Sequence, residues 1–234
     1  MIGTVHHDPR SAASLAALLA QLQPDRLTVE ISPDVVAYRQ TYGVLLLRRL
    51  EMILERLAGD SPPSAGFGEH SAIVEIRTLL GLPYEFSVAC AYAGEKGIKV
   101  QAIDQADSSL AKLRQIEERL ISLSHLKRLV SSPAAAPPDN TYRYALARQL
   151  LASPDAQQRS AFLQSCRGKE GIGPRDRHLA TMIRSLLQSD PGHLVHIGGW
   201  VHLLDDPAGE TLYSLLSDLQ PRRLLLDPDQ PLIP

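Results

Sequence analysis

Residues 193–202, His-Leu-Val-His-Ile-Gly-Gly-Trp-Val-His, contain the pattern that decides the fold. The run over 193–198 is apolar and of strand length, and a Gly-x-x-His turn, Gly199 to His202, follows it directly. The chain opens in the same way, because residues 1–6 predict a short strand that runs into a second such turn, Gly3 to His6. A glycine lets the backbone bend sharply at a strand end, so the histidine three residues later can point back over the sheet edge.

Three further strands are predicted, and helical patterns separate all five. The strands cover 27–31, 99–103 and 222–227. The helices follow Asp8-Pro9 and then cover about 33–57, 69–80, 83–95, 107–130, segments from 140 and from 174, and 209–219. Strands with apolar interiors that alternate with helices predict an α/β fold, with a mostly parallel or mixed central sheet and helices on both faces.

The chain reads as one domain over residues 1–234, with a helical excursion over approximately 107–190. Residues 131–139 are the most linker-like segment, but the pieces on either side are too short to fold alone. Residues 3–30 and 199–227 also resemble each other, since each contains Gly-x-x-His, Asp-Pro, Leu-Gln-Pro and a final acid at matching places. We therefore predict two duplicated strand–helix–strand units that meet at one cleft.

Polar residues stand at the predicted carboxyl ends of the strands, where ligands of open α/β sheets bind. They are His6, Glu30, Asp104 and His202, and the repeat leaves Asp227 open as a fifth. Two imidazoles and one or two carboxylates suffice for a catalytic divalent metal with an open position. A single histidine in a turn is more often a surface or capping residue, and an acid there can cap the next helix. The matching positions of His6 and His202 favour a shared functional site over the surface or capping role.

Three further residues join the candidate set. Arg175 and Asp176 open a predicted helix, where Asp176 can serve as a first-turn acid and Arg175 can clamp a carboxylate or orient an acid. Glu85 lies on a predicted helix and faces either the site or solvent. The remaining histidines are expected to pack or to face solvent, with His7 beside the site or exposed and His196 the one most suited to burial inside a strand.

Composition excludes several classes of function. The formal charge of −2 offers no electrostatic footprint for nucleic acid or for an anionic membrane. The sequence shows no signal peptide and no apolar run long enough to span a bilayer, so a cytoplasmic protein without membrane contact is expected. The expected partner is a peptide or small-molecule substrate, and a homodimer is left open.

These residues together resemble the TraB/PrgY/Tiki superfamily, whose wider fold group includes erythromycin-esterase-like and ChaN-like proteins. The resemblance spans nearly the whole chain. It rests on these motifs in order: Gly3–His6, Pro24–Glu30, the helix from Glu85, the strand that ends at Asp104, Arg175-Asp176 and Gly198–His202.

The resemblance implies a metal-dependent hydrolase, acting on peptides, with manganese or cobalt as the divalent metal. Zinc is left open as a third metal. His6, Glu30 and His202 would be the metal ligands. The catalytic set would be Glu85 or Asp104 as general base, Arg175 to stabilise negative charge, and Asp176. The first alternative is a non-catalytic protein of the same fold that binds a peptide, a metal or haem; the second is a metal-free hydrolase with a histidine as base.

Overall fold

The computed structural model describes residues 1–8, 10–59, 67–105, 110, 111, 113, 115, 120–133, 140–168 and 171–230. Within these residues five strands form one sheet: β1 (Ile2–Thr4), β2 (Arg26–Val29), β3 (Lys99–Ala102), β4 (Leu194–Gly199) and β5 (Leu224–Leu225). The strand order is β3-β2-β4-β1-β5, and every pairing is parallel. The predicted α/β class and parallel sheet are confirmed.

Helices separate the strands along the chain. They are α1 (Ser11–Leu22), α2 (Pro33–Tyr38), α3 (Val44–Gly59), α4 (Ser71–Leu80), α5 (Tyr84–Lys96), α6 (Leu123–Val130), α7 (Thr141–Ala152), α8 (Ala156–Cys166), α9 (Pro174–Ser189) and α10 (Leu212–Leu215). A π-helical turn, Arg39–Gly43, joins α2 to α3, and a 3₁₀ turn, Trp200–Leu203, follows β4. Residues 110, 111, 113, 115 and 120 are also helical.

The chain divides into two compact units. The first comprises Met1–Ser32, Tyr84–Gln105 and Asn140–Pro234, and it contains the whole described sheet. The second comprises Pro33–Pro83 and Ala106–Asp139 and is helical where the structure describes it. Of the helical excursion expected over about 107–190, residues from 140 onward therefore pack in the first unit. A single domain over 1–234 stays a prediction.

The central strands of the sheet are covered on both faces, whereas Lys99 and Gln101 of the edge strand β3 are exposed. All residues of β1 and β2 are buried, and neighbouring residues of a strand point to opposite faces. One apolar cluster of the first unit joins strand ends to α7, α8 and the turn after β4: Val5, Tyr144, Ala147, Leu150, Leu163, Ile172, Trp200 and Leu204. A second cluster joins the end of β3 to α9 and α10: Ile103, Leu179, Ala180, Ile183, Leu212 and Leu216.

The second unit has an apolar core of its own. It is formed by residues of α3, α4 and α6 together with Ile121, two residues before α6: Leu46, Leu50, Leu54, Leu57, Ile73, Ile76, Leu80, Ile121 and Leu126. No helix in the described part of the chain combines the length and the apolar sequence that a bilayer crossing requires.

Two helix predictions are wrong in extent. The helix expected over 107–130 is interrupted at residues 121–122, because Ser122 caps α6 and its Oγ accepts a hydrogen bond from the backbone N–H of His125 at 3.3 Å. The helix expected over 209–219 is reduced to α10 and a short 3₁₀ turn. The carboxylate of Asp206 accepts hydrogen bonds from the N–H groups of Ala208 and Glu210, which fixes a turn where that helix would begin.

Other predictions differ in smaller ways. The strand expected over 222–227 is limited to the two residues of β5. Residues 107–109, 112, 114 and 116–119 of the interrupted helix and residues 134–139 of the predicted linker lie outside the described residues.

The residue that ends α1 gives a stability prediction. Gln23 adopts a left-handed conformation with φ 46°, whereas Gln21 is an exposed residue inside the helix. A left-handed non-glycine residue costs about 1–2 kcal/mol, and glycine inside a helix costs about 1 kcal/mol. We expect Gln23→Gly to raise the free energy of unfolding by up to about 1 kcal/mol and Gln21→Gly to lower it by about 1 kcal/mol, in urea titrations. Equal effects of the two substitutions would contradict the assignment of the cap.

Candidate functional site

The two Gly-x-x-His turns lie side by side. They follow the neighbouring parallel strands β1 and β4, in which Gly3 pairs with Gly198. A Cβ atom on Gly199 would lie 2.9 Å from His6 Nε2, and a Cβ atom on Gly3 would lie 2.8 Å from the Cα atom of Trp200. Each glycine therefore makes room for the turn that follows the other strand, and this brings His6 and His202 to one edge of the sheet.

His6 is oriented by Glu85, which lies in the first turn of α5. His6 Nδ1 is 2.8 Å from Glu85 Oε1, and the hydroxyl of Thr4 donates to the same oxygen at 3.0 Å. Glu85 is buried, whereas the His6 side chain is 43% exposed. Desolvation opposes protonation of the ring, but the hydrogen bond to Glu85 and the charge of Glu30 raise the pKa of His6.

His202 is oriented in the same way by a second buried acid. Its Nδ1 is 2.8 Å from Oδ1 of Asp176, in the first turn of α9, and this oxygen also accepts the backbone N–H of Leu212 at 2.6 Å. Nε2 of His202 lies 3.1 Å from Glu30 Oε1. Burial would lower the pKa of His202, but the charge of Glu30 and the bond to Asp176 outweigh it and raise this pKa to about 10.

Glu30 is the centre of the site. Its side chain is 1% exposed, and its Oε2 accepts the backbone N–H of Gly199 at 2.6 Å. Its Oε1 lies 2.7 Å from Arg175 Nη2. Burial alone would raise the pKa of Glu30, but the charges of His202 and Arg175 hold it well below its ordinary value. Glu30 is therefore an ionised carboxylate at neutral pH.

Arg175 is fixed by Asp104. Its Nε and Nη2 atoms donate to the two oxygens of Asp104 at 3.0 and 2.6 Å, a bidentate pair that sets the plane of the guanidinium. Asp104 is buried, and it also accepts the backbone N–H of Gln105 at 2.8 Å. Desolvation opposes the charge of Arg175, but Glu30 and Asp104 raise its pKa. Both oxygens of Asp104 are thus engaged in holding a cation.

The structure thus brings together every residue that the sequence analysis selected for the site. All of them lie in the first unit: His6, Glu30, Glu85, Asp104, Arg175, Asp176 and His202. Asp227, which the repeat left open, forms an ion pair with Arg148 instead and accepts the N–H of Asp229. The final acids of the two predicted units therefore have different surroundings, and the duplication itself stays a prediction.

Sequence reasoning missed the surroundings of His196. This ring is buried inside β4, and its Nδ1 lies 3.0 Å from the hydroxyl of Thr28, its partner in β2. Desolvation lowers the pKa of His196 to about 3, so the ring is neutral at physiological pH. Burial was the expected outcome for His196, but no sequence signal placed it beside the site.

Imidazole and carboxylate groups, the side-chain types gathered here, are ones that can bind a divalent metal. Both site imidazoles hold Nδ1 against a buried carboxylate, the arrangement that supports metal-bound histidine, and the buried Oε1 atom of Glu30 lies 3.1 Å from His202 Nε2. Among the described residues, however, no group of three His, Cys, Asp or Glu side chains is arranged as a metal site. The guanidinium of Arg175, close to Glu30, would compete with a cation for that carboxylate.

No protein-family model, curated protein or solved structure matches this chain. The resemblance to the TraB/PrgY/Tiki superfamily therefore stays a prediction, and the site stands on its own geometry.

A methyl group on Gly199 tests the packing of the two turns. We expect Gly199→Ala to push the His6 ring away from Glu85, so that the pKa of His6 falls toward its ordinary value in an NMR titration. Overpacking should also lower the free energy of unfolding by about 1–3 kcal/mol. Gly94→Ala is the control, because a Cβ atom there meets no atom within 4 Å. An unchanged His6 titration in Gly199→Ala would refute the close packing.

The burial of His196 gives a pH prediction for the metal-free protein in chelator. The unfolded chain takes up a proton at this histidine near pH 6.5, whereas the folded chain does so only near pH 3. The stabilising contribution is thus complete above pH 6.5 and is lost as the pH falls toward 3. Between pH 6.5 and 5, wild type should lose roughly 1–2 kcal/mol more than His196→Leu in urea titrations. His193→Leu, a change at an exposed histidine, should follow wild type.

Proposed function

We propose that this protein is a metal-dependent hydrolase that acts on peptides. One observation carries the proposal. The two Gly-x-x-His imidazoles each hold Nδ1 on a buried carboxylate, and both rings lie next to a third, ionised carboxylate, Glu30. The peptide substrate rests on the family resemblance alone.

His6, Glu30 and His202 would hold the metal. When bound there, a divalent ion supplies an activated water and polarises a carbonyl group. Glu85 and Asp176 accept the Nδ1 protons of the two rings, so each Nε2 would be the ligand atom, with the metal in place of any proton on it. The two buried acids therefore select the tautomer that a metal ligand requires.

The positive guanidinium of Arg175 would stabilise the negative charge that develops on the substrate. Its bidentate pair with Asp104 fixes the guanidinium before the reaction, which is the condition for electrostatic stabilisation. Asp104 is thereby a positioning residue. The general base that was expected at Glu85 or Asp104 is not favoured by this geometry, because Oε1 of Glu85 and both oxygens of Asp104 already serve neighbouring groups.

A second candidate function is a metal-free hydrolase. The observation that favours it is the contact of Arg175 and His202 with Glu30, which neutralises that carboxylate without a metal. In this case His6, half-buried and backed by Glu85, would accept a proton at Nε2. His202 would then stay protonated beside Glu30.

Titration of purified protein with manganese, cobalt and zinc tests the first proposal. Wild type and the control His193→Ala should bind about one ion, because His193 is exposed at the opposite end of β4. His6→Ala and His202→Ala should each weaken binding by at least tenfold, since each removes a ligand. All four proteins should unfold cooperatively.

Hydrolysis of a fluorogenic peptide mixture, with and without chelator, separates the two candidates. Chelator should abolish hydrolysis under the first candidate and leave it unchanged under the second. Absence of tight metal binding by wild type would overturn the first candidate.

A further inference from the structure

Thr211, the residue before α10, joins the turn that carries His202 to the acid that orients its imidazole. The Thr211 side chain is fully buried. Its hydroxyl donates at 2.7 Å to the backbone carbonyl of Leu204, two residues after His202. The next residue, Leu212, donates its backbone N–H to Oδ1 of Asp176 at 2.6 Å. The same Asp176 oxygen lies 2.8 Å from His202 Nδ1.

These contacts close a cycle. It runs from His202 along the backbone to Leu204, through the Thr211 hydroxyl to the N–H of Leu212, and through Asp176 back to the imidazole. The backbone from which the imidazole starts and the carboxylate on which it ends are therefore both held by the same short segment. All five residues are buried, so a broken link would leave a buried polar atom unpaired, which is costly.

Two arginines hold neighbouring carbonyls of this turn without taking part in the cycle. Nη1 of Arg223 donates to the carbonyl of Leu203 at 3.0 Å, and Nε of Arg159 donates to the carbonyl of Asp205 at 2.9 Å. In the described part of the chain, neither arginine has a hydrogen bond to the acid behind the imidazole. The threonine differs from them because its neighbour in the sequence supports that acid.

The Thr211 hydroxyl has to donate and to accept. It donates to Leu204, and it accepts the backbone N–H of Ser214 at 3.3 Å as the cap of α10. Threonine and serine hydroxyls can serve both roles, whereas valine has the shape of threonine and can serve neither. The chemistry of this one group is therefore what connects the turn after β4 to α10.

We propose that Thr211 is a positioning residue for His202. By holding the Leu204 carbonyl and the Leu212 N–H together, it keeps the Asp176 carboxylate in line with Nδ1 and so directs Nε2 of the imidazole toward the carboxylate of Glu30. Only the further statement that this Nε2 atom is a metal ligand rests on the proposed function.

Imidazole NMR of the metal-free protein in chelator tests the positioning without substrate or activity. We expect Thr211→Val to shift the Nδ1 signal of His202 and to leave the signals of His6 in place, because a separate acid on α5 holds that ring. Thr211→Ser should restore the wild-type signal. Thr181→Val is the matched control, since it removes a threonine hydroxyl from the exposed face of α9, the helix that carries Asp176.

Two results would overturn the proposal. One is a His202 signal that does not move in folded Thr211→Val, and the other is a shift of equal size at both site histidines, which would indicate a general loosening. If the valine variant does not fold, Thr211→Ala takes its place, because alanine puts no second methyl group against the carbonyl oxygen of Leu204.

Cobalt affinity tests whether Thr211 acts through Asp176. We expect Thr211→Val to weaken cobalt binding about tenfold, at the lower end of what losing a support behind a metal ligand costs. The double variant should bind no more weakly than Asp176→Asn alone, because both changes interrupt the same cycle. Independent, multiplying effects on the dissociation constant would contradict the route through Asp176. If wild type binds no cobalt, the proposed function fails, and the NMR experiment still decides whether Thr211 positions His202.

Discussion

The close approach of the two Gly-x-x-His turns is the constraint on which the rest of the site depends. β1 and β4 are adjacent and parallel, so the residues that follow them leave the sheet at the same edge. Two turns can share that edge only if their glycines carry no side chain, because a Cβ atom on Gly3 or Gly199 would collide with the other turn. This steric requirement explains why both turns begin with glycine. The space that the two glycines leave allows His6 and His202 to lie beside the same carboxylate, that of Glu30.

Charge balance is the second requirement of this arrangement. Glu30, Asp104, Glu85 and Asp176 are all shielded from water, and an unpaired buried carboxylate is costly. Each has a cation or an imidazole within hydrogen-bond distance, and Arg175 serves both Glu30 and Asp104. The acids that looked like general bases in the sequence are therefore largely the supports of the groups in front of them. The same arrangement of acids is compatible with either a bound cation or a protonated histidine beside Glu30.

The sequence predicted the strands well because an apolar run between glycines and polar residues is a local signal. It also predicted which polar residues lie together, because the carboxyl ends of parallel strands meet at one edge and therefore bring distant residues such as His6 and Asp104 into one region. Prediction from the sequence was less accurate where contacts between distant segments decide the length of a helix or the partner of a side chain. The turn built around Asp206 shortens α10, and the ion pair with Arg148 draws Asp227 into different surroundings.

The sequence by itself thus determined the α/β class, the two glycine-histidine turns and the residue types at the sheet edge, since these follow from periodicity and chain direction. Only the tertiary structure decided which oxygen faces which nitrogen. Glu85 and Asp104 have the same chemistry in the sequence, yet one backs an imidazole and the other fixes a guanidinium. His196 reaches the hydroxyl of Thr28 because β2 and β4 are neighbours in register. Hydrogen bonds act over about 3 Å, and that precision arises only when helices and strands far apart in the chain pack together.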